Sequence, residues 1–139
     1  MRAKIYLLAM LTFILSGCSS RGYVSPNLEI PKDKRALYVS SYFSGYEERH
    51  VGTVVRVFEK YGFTPVKEIK DSNYQLSFTI EGGGVVSVKI GLLQGSNTLI
   101  EVESSNAGWG TVIARPAAIA SRVEAAIIEL EKVLQERNL

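Results

Sequence analysis

His50 is the only histidine of this chain and Cys18 its only cysteine. Nucleophilic catalysis by a Cys-His pair would therefore have to use these two residues. A Ser-His-acid site would also need His50, and no serine sits in a nucleophile-elbow sequence. A transition-metal site wants several imidazole, thiolate or carboxylate ligands together, and one histidine cannot supply them. Calcium would need a loop dense in oxygen ligands, yet Asp33 and Asp71 are the only aspartates and neither lies in one. We therefore expect no metal and no cofactor. Gly82-Gly83-Gly84 lacks the Lys-Ser/Thr of a phosphate loop and joins strand to strand, so it reads as a hairpin turn. Glu101 and Glu103 are the remaining reactive pair. Two residues apart on a strand, they point to one face, where two carboxylates can act on a glycoside or simply keep the surface soluble.

Aromatic residues offer binding rather than catalysis. Trp109 stands between Gly108 and Gly110, where it either caps the core under the last helix or protrudes as an anchor for a partner. Tyr38 and Tyr42 share one strand face opposite Val39 and Phe43 and would line the open side of a sheet; Tyr46 follows them.

These residues need elements to hold them. Ala36 to Phe43 alternates like a strand. From Glu47 to Tyr61, Val51, Val54, Val55, Phe58 and Tyr61 recur at helical spacing, and Gly62 stops the helix. Phe63 to Ile69 predicts a short strand that Pro65 confines to an edge. Tyr74 to Glu81, Val86 to Leu92 and Thr98 to Ser104 form an antiparallel meander joined by Gly82-Gly83-Gly84 and Gln94-Gly95-Ser96-Asn97. Gln75, Ser77, Thr79, Ser87 and Lys89 would line its wet face. Pro116 opens a final helix with a stripe of Ile119, Val123, Ala126, Ile127, Leu130, Val133 and Leu134. The reading is α+β: a mainly antiparallel sheet of about four to five strands with two amphipathic helices packed on one face.

The N-terminus is of another kind. Arg2 and Lys4 precede an apolar run from Ile5 to Leu15 broken only by Thr12, and small residues lead into Cys18. This is the order of a secretory signal; at 11 residues the run is short of the roughly 18 needed to span a bilayer. Leu15-Ser16-Gly17-Cys18 resembles the lipobox of bacterial lipoproteins. The resemblance implies cleavage before Cys18, a diacylglycerol on its sulfur and usually an acylated α-amine; Ser19 at the next position implies the outer membrane, facing the periplasm. An ordinary cleaved signal, with Cys18 incidental, is the other reading. Acylation would remove the only thiol, and with it any Cys-His site or disulfide.

The domain scheme is then a signal peptide over 1–17, the lipidated cysteine and a tether over 18–35, and a single α+β domain over 36–139. The 17 residues from Ser19 to Arg35 either span about 20–25 Å as free coil or lie along the domain with Leu28 and Ile30 docked. Without Arg2 and Lys4, acidic and basic side chains are equal in number, which argues against a nucleic-acid partner. Residues 36–137 also resemble a group of small outer-membrane lipoproteins with a domain of unknown function, through Gly62-Phe63, Asp71-Ser72-Asn73-Tyr74 and Trp109-Gly110, here with the extra Gly108. That resemblance implies no catalytic residue. The expected function is a non-enzymatic binding or assembly accessory, membrane-bound through lipid on Cys18 and contacting an envelope protein. The alternative is a carrier of a small molecule, lipid or glycan on the open sheet face.

Overall fold

The computed structural model describes residues 18–107 and 115–139. Residues 1–17, expected to be a signal peptide, and the Trp109 loop lie outside them. The described chain is α+β, with one six-stranded sheet in the order β1-β6-β5-β4-β2-β3. Its elements are β1 (Cys18–Val24), β2 (Ala36–Tyr38), α1 (Gly45–Lys60), β3 (Thr64–Val66), β4 (Tyr74–Gly82), β5 (Val85–Gln94), β6 (Asn97–Ala107) and α2 (Arg115–Glu136). The expected four to five strands thus become six, and the sheet is mixed. β2 runs parallel to both β3 and β4, while β1, β6, β5 and β4 are antiparallel neighbours. The parallel part follows from connection: β2 reaches β3 only through α1, and a helical crossover returns the chain in its original direction. A 3-10 turn, Ile69–Asp71, then leads into β4.

The sixth strand comes from the segment read as a tether. Cys18–Val24 pairs along β6, from Cys18 opposite Asn106 to Val24 opposite Ile100. Beyond it the docked arrangement holds: Ile30 is buried and Leu28 packs against the core. Arg35 is buried too. Its guanidinium donates to the carbonyls of Tyr61 and Ile30 and lies over the Phe63 ring, so the strap is tied to the end of α1.

Alternation decides the core. Tyr74, Leu76 and Phe78 of β4, Val86, Val88, Ile90 and Leu92 of β5, and Ile100 and Val102 of β6 are buried under the helices. α1 contributes Val54, Val57 and Phe58; α2 contributes Ile119, Val123, Ala126, Leu130, Val133 and Leu134. Each such side chain taken from water stabilises the fold by about 1.5–3 kcal/mol. The stripe on α2 is the one its spacing predicts, save that Ile127 is only half-buried.

Two glycines stand in constrained positions. Gly62, at φ +82°, ends α1. Its N–H donates to Glu59 O and the Phe63 N–H to Phe58 O, the paired bonds of a Schellman motif. The accompanying apolar contact is an edge-on stack of Phe58 and Phe63, with centroids 5.3 Å apart. Gly22 sits beneath α2, where a Cβ would stand 3.2 Å from Val133 Cγ2.

Candidate functional site

The face of the sheet opposite the helices is built by register. Glu103 on β6 lies opposite Arg21 on β1 and Lys89 on β5; Glu101 lies opposite Tyr23 and Gly91. Tyr38 shares a pairing level with Gln75, on the same open face. Strand alternation dictates this set, because the neighbours of each residue along its strand face the helices.

The two glutamates, expected as an equivalent exposed pair, diverge. Glu103 is part-buried: its Oε2 accepts from Arg21 Nε at 2.8 Å and from Nη2, and its Oε1 accepts from the Ser87 hydroxyl at 2.9 Å. The hydrogen bonds from Arg21 hold its carboxyl below the ordinary 4.5. Burial works against them, while Ser87 and the charges of Arg21 and Lys89 reinforce them. A carboxyl held ionised is in the wrong form to protonate a leaving group. Ser87, expected to meet water, is buried beside it. Glu101 is exposed and has no hydrogen bond or ion pair with any described residue.

Beside Glu101 a bulge opens a groove. Leu92 pairs with Ile100 but Leu93 with Thr98, so Leu99 is the extra residue. Such an insertion re-aims the side chains around it, and Thr98 now stands opposite the open-face residue Leu93. On the other side Ser25 N–H donates to Leu99 O at 2.8 Å, carrying β1 past its last pair. Between them lies an open groove of about 500 Å³ lined by Tyr23, Ser25, Ser96, Asn97, Thr98, Leu99 and Glu101. A smaller hollow of about 70 Å³ continues it along Tyr23 and Glu101 to Arg21 and Glu103. Tyr23 is 51 % exposed. None of the polar side chains lining the groove has a partner among the described residues.

The other predicted site residues are placed as follows. Cys18 is the first residue of β1. Tyr38 ends β2, half-buried. Tyr42 does not share its strand: β2 ends at Tyr38, and Tyr42 is 89 % exposed in the loop before α1. The tyrosine pair expected on the open face is therefore not formed. The Val39 N–H bonds to Val66 O, after which the chain leaves the sheet. Trp109 lies outside the described residues. His50 is partly exposed on α1, and no group of three or more histidines, cysteines or acids is near enough to hold a metal among the described residues. No described helix is long and apolar enough to cross a membrane.

Sequence reasoning singled out Glu101 but missed the groove, because Tyr23 and Ser25 come from a segment read as tether and Ser96 and Asn97 from a hairpin turn. The available signal was slight: Tyr23-Val24 favours a strand, and Tyr23 had no partner to suggest its face.

The chain matches no protein family model and no curated protein. Among solved structures it is similar to PelC dodecamers from Paraburkholderia phytofirmans in two crystal forms. Each is 17% identical with a TM-score of 0.47, covering 84% of this chain and 94% of that one.

Proposed function

We propose that the protein is an outer-membrane lipoprotein, cleaved before Cys18 and acylated there, whose periplasm-facing domain is a non-enzymatic binding or assembly accessory for an envelope component. The anchor is supported by the basic start, the apolar run and Leu15-Ser16-Gly17-Cys18. The binding role is supported by one observation above others: on the open sheet face, the polar side chains of the Tyr23–Glu101 groove have no partner among the described residues. The buried stripes of the two helices are consumed in packing, and Glu103 is engaged by Arg21 and Ser87. What remains available is a surface that can hold a partner without changing it. Confinement to a membrane raises the effective concentration of such a surface toward an envelope partner.

Two measurements test this. The intact mass of the membrane-extracted protein should show loss of residues 1–17 and added acyl chains, and Cys18→Ala should abolish both acylation and membrane attachment. Crosslinking in cells, followed by purification from solubilised envelopes, should enrich an envelope component through the open face. Continued attachment of Cys18→Ala with normal acylation refutes the anchor.

A further inference from the structure

We infer that the groove bounded by Tyr23 and Glu101 is a glycan site that takes a segment of an uncharged polysaccharide. The inference rests on the binding role proposed above and names the class of envelope component. Three observations carry it.

The first is shape. About 500 Å³ is within the size of small-molecule sites, but the groove is open rather than enclosed. An open groove suits a length of polymer lying across the surface better than a molecule enclosed on all sides.

The second is chemistry. Tyr23 offers half of its surface to solvent, and a tyrosine joins an apolar ring face to a polar tip. A pyranose has the matching character, an apolar face of C–H groups and a rim of hydroxyls. Around the ring stand the hydroxyls of Ser25, Ser96 and Thr98, the amide of Asn97 and the carboxylate of Glu101. Hydroxyls and the amide both donate and accept, and the carboxylate accepts. All are unpartnered among the described residues, so a ligand need not break a protein hydrogen bond to reach them.

The third is charge. Next to the groove, Arg21 and Glu103 neutralise one another. Glu101 is then the one charged group among the described residues lining the groove, too little to select a cationic ligand. A neutral hydroxyl-rich chain fits this balance.

The test uses the full lipidated protein, labelled with nitrogen-15 and held in polyoxyethylene detergent micelles, whose headgroups contain no sugar. Intact mass first reports whether Cys18 is acylated, so a failed anchor is seen separately from a failed site. Oligosaccharides of β-1,4-linked glucose and of β-1,4-linked N-acetylglucosamine are then titrated while amide shifts are followed. At least one series should move the amides of Tyr23, Ser25 and Ser96 to Glu101, with a dissociation constant on the order of millimolar for so shallow a contact. Tyr23→Ala should weaken it about 10-fold, Tyr23→Phe and Glu101→Gln should largely retain it, and added salt should leave it unchanged. A well-dispersed spectrum of Tyr23→Ala confirms that the variant is folded. Absence of shifts with both series overturns the inference. So does binding of a lysine-rich peptide at the same amides that Glu101→Gln or salt abolishes.

Discussion

Replacing Glu103 by Gln removes the charge on which the open face is organised while keeping its shape. In the folded protein the carboxylate is held by Arg21 and by the buried Ser87 hydroxyl. The Arg21 side chain is 78% exposed, so its attraction is screened and contributes about 0.2–1 kcal/mol. The Ser87 bond contributes about 1 kcal/mol. Glu103→Gln should therefore destabilise the fold by about 1–2 kcal/mol at neutral pH, and a double-mutant cycle of Arg21→Ala with Glu103→Gln should assign less than half to the ion pair. The pH dependence has a definite sign. The folded carboxyl titrates below the ordinary 4.5, so its contribution is complete above that value and is lost as pH falls through the lower folded value. Urea unfolding followed by circular dichroism, for wild type and variant at neutral pH and at successively lower pH, reads this directly. The two midpoints should converge in acid. A stability difference that persists unchanged well below the folded pKa would show that the ionised form is not what Arg21 and Ser87 stabilise, and would refute the reasoning.

Two further variants address the frame around the site. Gly62→Ala should cost about 1–2 kcal/mol, since only glycine takes the positive φ of the Schellman turn without strain; an unchanged urea midpoint would contradict it. Glu47→Ala removes the carboxylate that accepts from the Ile80 N–H at 3.1 Å and joins α1 to β4. Amide hydrogen exchange at Ile80 should accelerate and stability should fall by about 1 kcal/mol.

Much of the frame was legible because its periods were long. The meander alternates for three strands, and α2 keeps one stripe over about four turns, so burial follows from spacing. The first strand was not. Cys-Ser-Ser-Arg-Gly-Tyr-Val shows no apolar alternation, because one face of this edge strand meets solvent and the other needs a glycine under Val133. Its order comes from backbone bonds to β6, which leave little trace in composition. β2 failed in the opposite sense. The alternation to Phe43 is real, and Val39 and Phe43 do pack on the core, but from a loop; the pairing partner β3 is only three residues long. The expected tyrosine pair was lost with those missing residues. Glu101 and Glu103 were correctly placed on one face, yet only cross-strand register shows that one is engaged and the other without a partner among the described residues.

Because β1 starts at Cys18 itself, no slack separates that residue from the sheet. Cys18, Asn106, Val86 and Gly82 lie level across four strands, whereas Tyr23 and the turn at Ser96 belong to the far end. Five residue steps of strand at about 3.3 Å give a rise of about 17 Å between Cys18 and Tyr23. If Cys18 carries acyl chains, as proposed, the strand would be a stiff mast of fixed height, with the β4–β5 hairpin toward the lipid and the groove held aloft at a set distance and heading. Partners at that height would be met repeatedly by the same face, and those at other heights would be missed.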